Sequence, residues 1–358
     1  MDLAYKHNWV ETRPRLEAFW RLEALDRPCI SVTAPSQPRR ALPPPVDNQQ
    51  KWTDPEYVAQ SYDANHEATY FGGEALPATS LMVGYAHGYG APLEYSEQTI
   101  WQAPIIHSWD SPPGLRLNES DWAWQQVQKV VARCLDVAAG KWMVGFPNIH
   151  QPNDHLALLR GGEGFCLDLI DRPAAVKQAL RQLLDNWFLI YERLRTMCAR
   201  TQEGSTNWLS VWSPRARFMT LQSDISCVLS PAMFNEFIAP ELEELTAWLD
   251  HSIYHLDGPG ALQHLERLLA LRRLHAIQWT PGTGKAQGLA WLELFQRIQA
   301  AGKGVVIYLP YHEVEAAVQA LRPEGLFILT GAPTVAAAEA LLAKAVAITA
   351  DKRRRGRA

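Results

Sequence analysis

The chain has 358 residues, about 47% of them apolar and 20% charged, with a formal net charge of −4. That balance belongs to a globular protein and gives no electrostatic case for binding nucleic acid, whose partners need a basic surface. No run of about 18 apolar residues is present to span a membrane, and the five cysteines form no CxxC pair or disulfide framework, so the expected setting is a reducing, cytoplasmic one with a small-molecule substrate.

Residues 1–27 read as an amphipathic helix, with Trp9, Leu16, Phe19, Trp20 and Leu22 on one apolar stripe and Arg27-Pro28 as its stop. RPCISVTAP (27–35) follows as a first strand, and SQPRRALPPPVDNQQKW as a proline-rich loop. YFGGEALP and GYAHGYGAP place glycines with Tyr85, His87 and Tyr89 in an aromatic segment suited to a pocket wall or lid, which makes Tyr85 a substrate-binding candidate. SLMVGYA (80–86) and KWMVGFPN (141–148) have strand length, separated by a helical pattern at 119–139. Beyond the second lies GFPNIHQPND, a loop with Asn148, His150, Asp154 and His155, of which His150 is a substrate-binding candidate.

After a long helical pattern at 173–202, NWLSVW and RFMTLQSD joined by SPRA read as a hairpin spanning 205–224. Ser230-Pro231 then starts a helix, as an N-cap followed by proline at the first helical position. SIYHLDG, LHAIQWTPG, KGVVIYLP and GLFILTG alternate with helical patterns at 260–271, 289–301, 312–321 and 334–347. Runs near 28, 80, 141, 217, 252, 274, 304 and 325 make about eight strands, most followed by a helix, which points to an α/β fold of the (β/α)8 TIM-barrel type with an N-terminal helical extension and long loops over its C-terminal face. One domain over 1–350 and a disordered basic tail over 351–358 are expected. No GxGxxG or GxxxxGK[ST] loop supports a nucleotide.

In such a barrel the chemistry gathers at the C-terminal ends of the strands. Asp224, His255 and Asp257 end two of these runs and are the catalytic candidates; His255 and Asp257, two apart on an extended chain, leave the same side and can grip one cation, so they are also the metal-ligand candidates. Gln278, Trp279 and Tyr308 close later strands as substrate-binding candidates. Trp212 joins them as one of fourteen tryptophans, several near turns or strand ends, that could wall a pocket for a flat or apolar ligand.

QSDISCVLSPAMFNEFIAPELEEL, YHLDGPGALQHL and LHAIQWTPG together resemble the uroporphyrinogen decarboxylase-like superfamily, and weaker similarity reaches LRGGEGFCLDLIDRPAAV. The resemblance spans roughly 140–340 and implies a (β/α)8 barrel with one of two chemistries: cofactor-free decarboxylation, or zinc-dependent methyl transfer involving corrinoid proteins. The decarboxylases carry an arginine-rich turn after the first strand where this chain has CISVTAPSQPRR, with Arg39 and Arg40. The zinc methyltransferases carry H-x-C where this chain has His255-Leu256-Asp257. The expectation is therefore a methyltransferase-like enzyme moving a methyl group from a small methylated or methoxylated compound to a corrinoid or folate-type acceptor. Zinc or another divalent metal at His255 and Asp257, a corrinoid protein as partner, and a homodimer follow from the same resemblance. The alternatives are a metal-independent lyase using Asp224 and His255 as an acid/base pair, and a barrel that binds a small ligand without turnover.

Overall fold

The computed structural model describes residues 3–81 and 88–355. Six of the expected runs form strands: β1 (Cys29–Pro35), β5 (Phe218–Gln222), β6 (His251–Asp257), β7 (Ala276–Thr280), β8 (Gly304–Tyr308) and β9 (Leu326–Gly331). Three further strands are β2 (Thr69–Gly73), β3 (Leu93–Tyr95) and β4 (Ile100–Gln102). The chain is a mixed α/β fold whose central sheet has seven strands in the order β2-β1-β9-β8-β7-β6-β5, parallel throughout except for the antiparallel pair β1–β2; β3 and β4 make a separate hairpin.

The middle of the chain departs from its expected strands. The 205–224 segment is not a hairpin: β5 pairs only with β6, in parallel, while Ser205 and Ser213 close an irregular loop on themselves. The 141–148 run forms isolated parallel bridges, Met143 to Ala78 and Phe146 to Asn207, instead of a ladder. Side chains take over part of its hydrogen bonding, since Thr79 Oγ1 accepts from Gly145 N at 2.8 Å and Gln202 brackets Val144 N and O at 3.0 and 2.8 Å. The 80–86 run, with Tyr85, falls almost wholly outside the described residues.

Period-two alternation sorts the strands into two faces. Outward residues such as Leu221, Leu256, Ile277, Ile307 and Ile328 pack into the main core under the helices, whereas Phe218, Ile253, Ala276, Val306 and Phe327 form a second, inner cluster. The N-terminal helix closes that cluster from below. It spans Trp9–Trp20, shorter than the expected 1–27, and it tolerates Pro14 in its second turn. Phe19 meets Phe327 and Trp20 meets Phe218 edge-on, with ring centroids 5.4 and 5.0 Å apart. The Trp20 indole N–H donates to Trp212 O at 2.9 Å.

A buried ion pair anchors β1. Arg27 donates to Glu74 through both terminal nitrogens at 2.5 and 3.0 Å, and Glu74 also accepts Ile30 N at 2.8 Å. The neighbouring Gly73 lies at φ +56°, where a Cβ would stand 2.1 Å from Ile30 O, so only glycine fits this close approach of β2 to β1. At the other end of the chain the last helix runs Val335–Arg355, so the segment expected to be a disordered tail is helical through Arg355. Arg353 holds it there by donating to Leu25 O and Ala24 O at 2.6 and 2.7 Å. Among the described residues no helix is long and apolar enough to cross a membrane.

Two measurements test this packing. Glu74→Ala leaves Arg27 buried without its partner and is expected to cost about 3–5 kcal/mol in chemical denaturation. His66 is buried against Phe71 and Trp142, and desolvation lowers its pKa to about 4. The unfolded chain therefore takes up a proton at His66 as pH falls below about 6.5 while the folded chain refuses it until about pH 4, so this contribution to stability is lost on acidification. The Tm gap between wild type and His66→Gln is expected to narrow from about pH 8 to about pH 5.

Candidate active site

Parallel pairing sets Gln222, His255 and Gln278 abreast on β5, β6 and β7, on the inner face. Two residues further along each chain, and so one level nearer the mouth, come Asp224, Asp257 and Thr280. The ligand atoms of Asp224, His255 and Asp257 all lie within 4.8 Å of one another, and His255 Nε2 stands 3.9 Å from Asp257 Oδ2. The three catalytic candidates thus come together, and the two metal-ligand candidates do so from one strand.

Gln278 orients this group. Its amide nitrogen donates to Trp279 O at 2.8 Å and Thr280 Oγ1 at 2.9 Å, which leaves its oxygen to accept from His255 Nδ1. With the proton on Nδ1, the lone pair of Nε2 faces Asp257 and the mouth, as a metal-binding or proton-accepting imidazole requires. Gln278 is fully buried, and its side chain meets His255, Trp279 O and Thr280.

A second tier holds Asp224. Asp154, buried on the helix Pro152–Arg160, accepts Asp224 N at 2.9 Å and Ile225 N at 3.0 Å, and so fixes the 3₁₀ turn Asp224–Val228 that follows β5. Burial and the neighbouring Asp224 push the Asp154 carboxyl up to about 7. Desolvation also raises Asp224, with His255 pulling it down and Asp257 pushing it up. Beneath them Ser223 Oγ donates to Asn153 Oδ1 at 2.6 Å, and Asn153 donates to the buried Glu241, whose carboxyl burial raises well above its usual range. Sequence reading placed Asp154 in a loop and passed over Asn153 and Glu241. The buried partners of one strand end lie some 70 and 88 residues apart, which periodicity does not relate.

The remaining candidates divide. His150 lines a cavity of about 420 Å³ together with Asp224, Asp154 and Gln222, with the β3–β4 hairpin as its opposite wall. Tyr308 ends β8 at the mouth with half of its surface exposed. Trp279 points the other way: it is level with Leu256 on the outer face and packs on Trp291 at 4.8 Å. Trp212 is also absent from the mouth, being buried against Trp9 at 5.1 Å in the plug that closes the inner cluster. The indole at the site is that of Trp208, which meets the His255 ring edge-on at 5.2 Å. Tyr85 lies outside the described residues.

One imidazole nitrogen and two carboxylate oxygens at this spacing suit a divalent ion of hard or borderline character, with a small contraction bringing bonds to about 2.0–2.2 Å. No cysteine belongs to the group. Cys227, three residues beyond Asp224, has its thiol pushed up by burial and by Asp224 and Asp257, opposite to what a thiolate ligand needs.

No family model matches the sequence, and no curated protein matches it. Among solved structures the chain is similar to a methyltransferase from Methanosarcina mazei, with a TM-score of 0.58 and 14% identity, over 99% of this chain and 100% of that one. At that identity the likeness speaks for the fold alone.

Asp154→Ala removes the acceptor of two backbone N–H groups at once. It is expected to lower stability by about 1–3 kcal/mol for each N–H left unsatisfied, read by chemical denaturation, whereas Asp257→Ala, at a half-exposed mouth position, is expected to change stability by less than about 0.5 kcal/mol.

Proposed function

We propose that the protein is a metal-assisted methyltransferase that takes a methyl group from a small methylated or methoxylated compound and passes it to a corrinoid or folate-type acceptor. The observation that carries this reading is the convergence of Asp224, His255 and Asp257 on one point at the mouth, with His255 held in the tautomer that presents Nε2. The fold shared with a protein named as a methyltransferase supports it. We also take the sheet to close into a (β/α)8 barrel through the segments around 78, 143–146 and 205–207, in keeping with their parallel bridges between neighbours.

His255 and Asp257 would hold the divalent metal, which when bound supplies a Lewis acid that polarises the heteroatom carrying the methyl group. In the transfer the bond from the methyl carbon to that heteroatom breaks, the electron pair stays on the heteroatom, and the carbon bonds to the nucleophilic acceptor. Gln278 keeps His255 in position. Asp224, whose pKa desolvation raises, can hand a proton to a departing oxygen. With two carboxylates and no cysteine in the group, the set leans toward activating the donor more than toward holding a thiolate nucleophile. The raised pKa of Asp224 beside His255 is also the observation that favours a second reading, a lyase in which the pair performs acid/base chemistry without metal.

Metal content measured by elemental mass spectrometry on protein purified without chelator separates the two. About one divalent ion per chain in wild type, lost in His255→Ala and reduced in affinity about 10- to 100-fold in Gln278→Leu, is the expected result. Absence of metal from both, with proton-transfer activity that falls in Asp224→Asn, would establish the lyase instead.

A further inference from the structure

Two glutamines flank His255 at one level of the sheet, Gln222 on β5 and Gln278 on β7. Gln278 turns its amide to His255, whereas Gln222 turns its amide to acids. The Gln222 amide nitrogen donates to Asp224 Oδ2 at 3.1 Å, and the same side chain donates to Asp154. An amide NH2 carries two hydrogens, so one group can serve both carboxylates, and only its nitrogen end can face them. Glutamines that hold the fold elsewhere bond otherwise: Gln202 brackets Val144 N and O, and Gln299 donates to Arg322 O and accepts from Arg322 N at 2.8 and 3.1 Å. Among the described residues the Gln222 amide meets no backbone group. The backbone around it is fixed by others, since Gln222 N donates to Gln151 Oε1 at 2.9 Å and Asp154 accepts from Asp224 N and Ile225 N. Gln222 is buried, yet it lines the cavity of about 420 Å³ beside Asp224.

We propose that Gln222 is a positioning residue that sets the Asp224 carboxylate toward His255 and Asp257, the counterpart of Gln278 across β6. The need for it comes from Asp154, whose carboxylate lies close enough to repel that of Asp224. A hydrogen bond to each lets the two stand side by side. A lysine or arginine at this position would also calm the repulsion, but by cancelling negative charge that a divalent ion at His255 and Asp257 draws on. The neutral amide leaves that charge in place. Without the amide, the repulsion turns Asp224 out of the group. The proposal rests on the metal-assisted reading for its effect on the metal, and on the hydrogen bonds alone for the pose of Asp224.

A double-mutant cycle tests this on the full chain: wild type, Gln222→Met, Asp224→Asn and the two together, each titrated with Zn²⁺ against a chromophoric chelator. Methionine keeps the length of the side chain and removes its donors. Gln222→Met is expected to weaken Zn²⁺ binding about tenfold when Asp224 is present, and by less than about twofold in the Asp224→Asn background, because the amide acts through that carboxylate. A crystal structure of Gln222→Met is expected to show the Asp224 carboxylate turned from its place, with β5 and the turn Asp224–Val228 unmoved. Equal loss in both backgrounds, no loss in either, or an Asp224 that keeps its pose would each overturn the proposal. Should Gln222→Met not fold, Gln222→Asn, whose amide falls one methylene short, repeats the cycle. The two readings stay separable. Zn²⁺ bound by wild type with an additive cycle removes the role of Gln222 and leaves the metal-assisted reading standing. No Zn²⁺ bound by wild type removes that reading, and the pose of Asp224 in the mutant structure then decides the role of Gln222.

Discussion

The level pairing of β5, β6 and β7 is the constraint on which the candidate site depends. Parallel strands in register put equivalent positions side by side, and a slip of one residue would turn the inner face outward. Gln222, His255 and Gln278 share one level for that reason, and Asp224 and Asp257 stand above it. The register in turn is guarded by what cannot be moved: Phe218, Ile253, Ala276, Val306 and Phe327 fill the inner cluster below, and the outward leucines and isoleucines are sealed under helices. A one-residue slip of β6 would turn His255 and Asp257 toward the outer hydrocarbon and bring Leu256 to the inner face.

Rigidity of the site is built from the same buried polar groups that make it expensive. Asp154 spends both carboxylate oxygens on backbone N–H groups, and the Ser223–Asn153–Glu241 chain ties the strand end to the helix Ala239–Trp248. That helix follows a wide π turn at Phe234–Ile238, immediately ahead of Pro240, whose missing N–H the wider turn accommodates. The wide turn precedes the helix that presents Glu241 to Asn153. Functional side chains are thus held from behind by groups with no exposure of their own, while the acidic mouth stays open.

Much of this was legible from residues near one another in sequence. His255-x-Asp257 at the end of an apolar run, Ser230-Pro231 at a helix start, and six of the strands follow from local pattern, and the structure has all of them. The departures share a cause. Trp212 and Trp208 occupy one short loop with equal claims on composition, yet only tertiary packing decides that the first fills the plug and the second meets His255. Trp279 follows Gln278 by one residue, and strand alternation alone sends it to the opposite face. The short bridges near 78, 143 and 207 replace ladders with side-chain hydrogen bonds from Thr79 and Gln202, a substitution that leaves no periodic trace. β2 escaped notice because its glycines, read as part of a pocket wall or lid, serve the close approach to β1.

The tryptophan plug has a consequence for traffic. Trp9, Trp20 and Trp212 pack over the strand starts, so the inner cluster is covered by indoles at the end remote from His255. A ligand of His255 therefore comes from the strand ends that carry Asp224 and Asp257, and not from the end that the indoles cover.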